Sequence, residues 1–462
     1  MFDLIQRDAN WIKVPDFNAQ ALIQRLLSWE EMRPGQDGMI AVPRSIYDGR
    51  RSGFPAGLIN KVIIALRESG HEVNYIPIEH PRMALKIAGY DLPGVDYEPY
   101  QKSVLRSIGI LHKRGVIVAP TGAGKSILIG GIIQKLNVPY KTLIVVPTTD
   151  ILMQLRTNFI DWFGLRRVGQ IGNSVIQVDN VTVALYQSLD KVRFSPNEIK
   201  LLIVDEVHRI NDSIINALNI MGKSIWYRFG LTATPQLIDK NPEKTLQVNG
   251  FIGPIIRTVE DEQVESRVIP AKVHMFRYFN SAPIGETYQK SLKHDILLNK
   301  TRNTLFIKAV KKLALDHGKT ALILLDEVAQ LKQLYQIAID MGLKPGVAHG
   351  RQDKMLNEYV KQELNNRRIN LVIATQVFGM GTNIPTVDCI ALASSRKSEI
   401  DTLQKIGRGR RRTQHKDELI VIDSIDQLRS SLRHHKHFYT YSLERMGIYK
   451  EKGWEVNRML LL

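Results

Sequence analysis

Residues 115–126 read GVIVAPTGAGKS. An apolar run enters a turn that carries Gly122, Gly124, Lys125 and Ser126, and the turn leads into ILIGGIIQKL, a helical stretch. Strand, glycine-rich turn and helix are the setting in which G-x-x-x-x-G-K-[ST] holds phosphate. Here the first glycine is relaxed to Ala119. Glycines let backbone N–H groups face inward around phosphate oxygens, and the helix N-terminus adds partial positive charge. The spacing therefore makes Thr121, Gly122, Ala123, Gly124, Lys125 and Ser126 a cradle for the phosphates of a nucleotide, with Lys125 on the β- and γ-phosphates and Ser126 on Mg2+.

LLIVDEVH at 201–208 supplies a second half. Apolar residues end in two acids at a strand tip, so Asp205 is placed to hold Mg2+ opposite Ser126 and Glu206 to orient and deprotonate the attacking water.

The theme repeats around these two stretches. GVIVA, KTLIVV, VTVAL, LLIVDE and YRFGLTA read as strands buried on both faces, with helices between them, which implies a parallel sheet. TALILL, PGVAH, NLVIAT, CIALA and ELIVID repeat it further on, with helical segments such as EVAQLKQLYQIAIDMG. The fold class expected is α/β, with two tandem RecA-like parallel-sheet domains after a small basic α+β block. The boundaries are 1–90, 91–270 and 271–462, the last with a basic helical tail. In the first block, SWEEMRPGQDGMIAV and YDGRRSGFPAGLIN read as turns between strands, and LINKVIIALRESG as a helix.

The chain has 462 residues, with Lys+Arg 63 against Asp+Glu 46, a formal charge of +17. Such a surplus points to a polyanionic partner, nucleic acid before membrane. The single cysteine, Cys389, excludes a disulfide framework within the chain, suits the reducing cytoplasm and lies in an apolar run as a core thiol. MFDLIQRDANWIKV lacks the apolar core of a signal peptide, and no apolar run reaches membrane-spanning length. His434, His435 and His437 lack a cysteine or acid at ligand spacing, so they read as a charged helical face and not as a metal site.

Together these residues resemble the superfamily 2 helicases of the DExH type. YEPYQ at 97–101 resembles the upstream adenine-reading motif, which places Gln101 against the base; APTGAGKS resembles motif I and DEVH motif II. VVPTTDILMQ (145–154) and VALYQSL (183–189) are similar to motifs Ia and Ib, and LTATP (231–235) to motif III, which couples the two domains. VIATQVFGMGTNIPTVD (372–388), with Gly379, is similar to motif V, and LQKIGRGRR (403–411) to motif VI. The resemblance implies that Gln404, Arg408 and Arg411 complete the catalytic set when the domains close, the arginines as fingers on the transferring γ-phosphoryl. It implies backbone contacts to nucleic acid from Thr148, Gln187, Ser188 and Thr375. The chain departs from many relatives at Gly381-Thr382-Asn383, where the asparagine offers no carboxylate for a ribose contact.

YDGRRSGFPAGLINKVIIALRESGHEVNYI and the tail LERMGIYKEKGWEV are similar to the UvsW-type recombination helicases of tailed phages. That implies a basic domain, with Arg50 and Arg51, gripping duplex arms at a junction. The activity implied is ATP-dependent DNA unwinding or translocation on forked or branched DNA, with recombination or replication proteins as further partners. An RNA or RNA–DNA helicase, and an ATP-gated clamp or annealing protein without translocation, remain as alternatives. Aromatics at 7% favour tracking of the backbone over stacking of bases.

Overall fold

The computed structural model describes the chain except residues 36–37, 79–91, 110–111, 137–140, 166, 193, 196–197, 236–237, 239–240, 265–267, 376–383, 385, 395–405, 408, 411, 413–415, 430–431 and 461–462. Two compact units result, Met1–Gln263 and Val264–Leu462.

The first unit opens with β1 (Phe2–Gln6), β2 (Trp11–Lys13), β3 (Ser28–Gly35), β4 (Gly38–Ser45), β5 (Gly53–Pro55) and β6 (Val73–Ile76). Among the described residues, β5-β2-β1-β6 form one small mixed sheet and β3-β4 a separate antiparallel hairpin. Helices Phe17–Leu26 and Ile59–Glu68 cover the sheet, burying Ile23, Val62 and Leu66 with Leu4, Ile12 and Phe54. SWEEMRPGQDGMIAV is therefore largely strand and not turn. Pairing runs from Ser28↔Ser45 to Gly35↔Gly38, and Pro34 is tolerated because a two-stranded hairpin leaves an outer edge that needs no donor.

The sheet that follows contains β7 (Arg114–Val118), β8 (Lys141–Val146), β9 (Gly169–Gly172), β10 (Val175–Gln177), β11 (Val181–Leu185), β12 (Ile199–Asp205), β13 (Tyr227–Thr232) and β14 (Ile255–Thr258). Its order is β10-β9-β11-β8-β12-β13-β7-β14, parallel except at the β9–β10 pair. Continuous apolar runs made these strands, because both faces are covered and leave no solvent side to alternate toward. β13 lies between β7 and β12, so the turns after all three strands meet at one carboxyl edge, where parallel sheets place ligands.

The amino edge of this sheet carries the small block. Arg228, fully buried at the start of β13, donates to the carbonyls of Ile225 (2.7 Å) and Phe251 (2.8 Å) and to the Asn10 side chain. Arg114, at the start of β7, donates to the Ala9 carbonyl at 2.7 Å. Burial lowers the pKa of both, Arg114 to about 10. Leu246, on helix Pro242–Phe251, shares the core of the N-terminal block. The block is thus continuous with the first sheet's unit.

The second unit contains β15 (Ala271–Asn280), β16 (Ala321–Leu324), β17 (Gly346–Ala348), β18 (Leu371–Ala374), β19 (Cys389–Leu392), β20 (Leu419–Leu428) and β21 (Glu455–Met459). Among the described residues its order is β17-β18-β16-β19-β20-β15-β21, parallel throughout. Cys389 is buried in the core, and burial pushes its thiol up to about 12. The tail forms helix Arg433–Glu451, but it is not a simple charged face. It buries Phe438, Ser442, Arg445 and Tyr449, and His435 is bonded to Ser291 Oγ at 2.7 Å. No described helix is long and apolar enough to cross a membrane.

Gly57 marks how tightly the first block is seated. A Cβ there would lie 2.1 Å from the Asn249 carbonyl oxygen. Gly57→Ala is expected to destabilise the first unit by about 1–3 kcal/mol, read as a lower urea midpoint. An unchanged midpoint would show that the block is not docked this way.

Candidate nucleotide site

The phosphate turn follows β7 directly. The Ala119 N–H donates to the Thr232 carbonyl at 2.8 Å, which ties the turn to β13. Gly122 (φ 96°) and Gly124 (φ 74°) adopt left-handed backbone that a side chain would disfavour. Helix Lys125–Leu136 then starts, so Lys125 and Ser126 occupy its first turn. Thr121, Gly122, Gly124, Lys125 and Ser126 are half-buried and Ala123 is buried.

Gln101 lies beneath this turn and is completely buried. Its Nε2 donates to the Ala123 carbonyl at 2.9 Å, and its Oε1 accepts the Glu98 N–H at 3.0 Å. Tyr100 donates to the same carbonyl at 3.0 Å. Gln101 was expected to face a base; in the structure it braces the phosphate turn.

At the end of β12 the chain turns sharply. Lys125 Nζ and Glu206 Oε1 are 2.6 Å apart, with both side chains largely shielded. Glu206 sits in the left-handed region (φ 51°, ψ 50°), which costs a non-glycine residue on the order of 1–3 kcal/mol. Local bonds offset that strain. The Glu206 N–H donates to Asp205 Oδ1 at 3.0 Å, and the Arg209 N–H to the Glu206 carbonyl at 2.9 Å. The Tyr186 hydroxyl donates to the carbonyls of both Asp205 and Glu206.

The electrostatics separate the two acids. Burial raises Asp205 to about 6, with Lys125 opposing and Glu206 adding to the rise. Burial also works against Glu206, but the charge and hydrogen bond of Lys125 outweigh it, so its pKa falls below the usual carboxylate value. Burial lowers His208 to about 4, so its ring is neutral at pH 7 and its 3.5 Å approach to Glu206 Oε2 is not an ion pair. His208 Nδ1 instead bonds Thr232 Oγ1 at 2.9 Å and Thr234 Oγ1 at 3.3 Å, joining the acidic turn to the turn after β13. Glu206 Oε2 is buried with no hydrogen-bond partner. Two acids share one lysine, and this orphaned oxygen adds capacity for a further donor. A hydroxyl and a carboxylate that leave most coordination positions to phosphate and water are the donor set Mg2+ takes.

The residues expected to touch nucleic acid are placed less uniformly. Thr148 caps helix Thr149–Phe163, accepting the Ile151 N–H at 3.5 Å. Gln187 is exposed and Ser188 largely buried in the turn Tyr186–Lys191. Thr375 follows β18, largely buried, with its N–H on the Ala348 carbonyl at 3.0 Å. Arg50 and Arg51 are exposed, but Arg51 also lies 4.6 Å over the Trp11 ring and pairs with Asp48 at 3.2 Å. Gly379, Gln404, Arg408 and Arg411 lie outside the described residues. Their neighbour Arg410 donates to the Ile269 carbonyl at 2.8 Å and stacks on Trp454 at 5.2 Å.

Sequence reasoning missed the supporting shell: Tyr100, Tyr186 and the His208–Thr232–Thr234 link. Tyr186 stands inside VALYQSL, yet its partners lie at the end of a strand two places away in the sheet, which no local spacing encodes.

Residues 95–237 match the family described as type III restriction enzyme, res subunit, and residues 305–413 match the helicase conserved C-terminal domain. The chain belongs to the superfamily 2 helicases. It is an ATP-hydrolysing enzyme of that family. This helicase is 27% identical over 354 residues to the ATP-dependent DNA helicase uvsW of Enterobacteria phage T4, covering 71% of this chain and 68% of the relative. It is 25% identical over 371 residues to the DNA 3'-5' translocase XPB2 of Sulfurisphaera tokodaii, covering 71% and 81%. In fold it is similar to Saccharomyces cerevisiae Dbp5 bound to RNA and ADP BeF3, with a TM-score of 0.55 at 12% identity over 78% of this chain and 89% of that one.

The neutral His208 has a measurable consequence. Its folded pKa lies below the unfolded value of about 6.5, so its contribution to stability is present above pH 6.5 and is lost as pH falls toward 4. Stability of the wild type minus that of His208→Gln is expected to shrink by on the order of 3 kcal/mol across that window, read by urea unfolding in the absence of nucleotide and metal. A difference that stays constant with pH would remove the buried neutral imidazole from the account.

Proposed function

We propose that this helicase is an ATP-driven DNA motor that remodels forked or branched DNA, in recombination or repair. The observation that carries the reading is the 2.6 Å pair of Lys125 and Glu206, which puts a phosphate-binding lysine and an acid in one shielded cleft. On this reading Lys125 moves to the β- and γ-phosphates when ATP arrives, assisted by the N–H groups of Thr121–Ser126. Glu206, released from the lysine, accepts the proton of the attacking water through its unoccupied oxygen. Ser126 and Asp205 would hold Mg2+, which neutralises phosphate charge. Gln404, Arg408 and Arg411 are the proposed partners of the γ-phosphoryl, and Gly379, within motif V, is a proposed contact to the nucleotide.

Thr148, Gln187, Ser188 and Thr375 are the proposed contacts to the DNA backbone. The charge of +17 supports a nucleic-acid partner, and two relatives are named for action on DNA. Residues 1–90 form the proposed junction-gripping domain, ahead of motor domains over 91–270 and 271–462. Arg50, Lys61 and Arg67 present exposed charge on that first block.

Two measurements test the reading. Lys125→Ala is expected to lower kcat for ATP about a thousandfold, and Arg411→Ala to do the same through the transition state while nucleotide Kd stays close to that of the wild type. Retained turnover in either would break the assignment. On a panel of forks, four-way junctions, plain duplex and RNA–DNA hybrid, ATP hydrolysis is expected to rise most with branched DNA. The triple variant Arg50→Ala, Lys61→Ala, Arg67→Ala should lose that preference while keeping the response to duplex. Deleting the block is the poorer test, because it shares a core with Leu246.

A further inference from the structure

Tyr186 is a buried residue in contact with the acidic turn that the proposed mechanism leaves unused. It begins the turn Tyr186–Lys191, one residue after β11 ends, and Gln187 and Ser188 follow it directly. The sheet order β11-β8-β12 puts one strand between it and the acidic turn. Two strand spacings come to roughly 10 Å, a span that a tyrosine side chain together with its hydrogen bond reaches across and a serine or threonine does not. Its hydroxyl donates to the carbonyls of Asp205 and Glu206, the two carbonyls that flank the strained Glu206 backbone. Burial and the two acids hold the phenol's pKa well above its usual value, so the hydroxyl keeps its proton and stays a donor.

We propose that Tyr186 is a positioning residue that couples nucleic-acid contact at Gln187–Ser188 to the setting of Glu206 in the ATP site. A shift of the 186–191 turn on binding a backbone moves the hydroxyl, and with it the two carbonyls that hold Glu206 in its left-handed conformation. With ATP bound and Lys125 drawn to its phosphates, that movement sets the freed Glu206 against the attacking water when DNA is engaged. The path is one hydrogen-bonded side chain long, from the nucleic-acid turn to the acid. It rests on the assignment of Gln187 and Ser188 to DNA and of Glu206 to the attacking water made above. Coupling of this kind is reciprocal, so nucleotide must change DNA affinity by the same factor as DNA changes nucleotide affinity.

The test compares the full-length wild type with Tyr186→Phe, which keeps the ring and removes only the donor, and with Gln187→Ala/Ser188→Ala. Three quantities are read: the ratio of DNA-stimulated to basal ATPase, the ratio of DNA Kd without and with a non-hydrolysable ATP analogue, and the urea midpoint. In Tyr186→Phe the stimulation ratio is expected to fall about tenfold and the nucleotide effect on DNA Kd to approach one. An equal loss of basal and stimulated rates, with the Kd ratio preserved, would make Tyr186 a support of the acidic turn alone and overturn the coupling. If the urea midpoint of Tyr186→Phe collapses, Tyr186→Trp, which keeps a ring donor, replaces it; coupling retained in a folded Tyr186→Trp supports the proposal, and coupling lost in a folded Tyr186→Trp with intact DNA affinity overturns it. Wild-type ratios in a folded Tyr186→Phe overturn it. Undiminished DNA affinity in Gln187→Ala/Ser188→Ala would instead fail the underlying DNA assignment, a result distinct from failure of the tyrosine link.

Discussion

Lys125 and Glu206 hold each other across the carboxyl edge of the first sheet. Neither charge is stable alone in so shielded a place, because removing one partner of a buried pair costs several kcal/mol, about 3–5. The pair therefore sets two constraints at once. It fixes the first turn of helix Lys125–Leu136 against the end of β12, and it keeps Glu206 ionised while Asp205 is raised to about 6. A triphosphate that displaces Glu206 from the lysine frees an acid already oriented for water. The resting ion pair is thus a form of the site that only an anion can open.

The strain at Glu206 is held by contacts from three directions. Asp205 bonds its N–H, Tyr186 bonds its carbonyl, and Lys125 pairs with its carboxylate. Each partner belongs to a different element, so the acidic turn reads the position of β7, β11 and β12 together. His208 extends this to β13 through Thr232 and Thr234. A site so interlinked transmits small displacements as changes in which partner Glu206 keeps, because packed interiors have discrete arrangements and do not deform continuously.

The opposite edge of the same sheet is anchored by two buried cations that hydrogen-bond to neutral groups, with the Asp8 carboxylate favouring both charges from nearby. Arg228 and Arg114 are satisfied by backbone carbonyls and Asn10, which closes the amino ends of β13 and β7 under the N-terminal block. The block and the nucleotide turns thus sit at the two ends of the same strands. The second unit uses the other solution to burial: Arg302 pairs with Asp426 at 2.8 Å, and Arg445 with Asp423 at 2.8 Å, both shielded from solvent. Such pairs fix a geometry more than they add stability.

The linear order of residues was sufficient for the two α/β units, the strand-turn-helix around Lys125 and the acids ending β12. These depend on short-range chemistry: continuous apolar runs, glycines where the backbone must turn around phosphate, and acids at a strand tip. It was insufficient for the hairpin over Ser28–Ser45, read as turns from its Gly and Pro, because partner strands decide whether such a segment extends. It was insufficient as well for Gln101 beneath the phosphate turn, for His435 inside the tail's packing, and for Tyr186 reaching across β8. Those roles arise from residues far apart in the chain brought within hydrogen-bond range, and from the dielectric of the place where they meet. Residue order determined which groups were available for the chemistry; only the folded arrangement decided which were spent on holding one another.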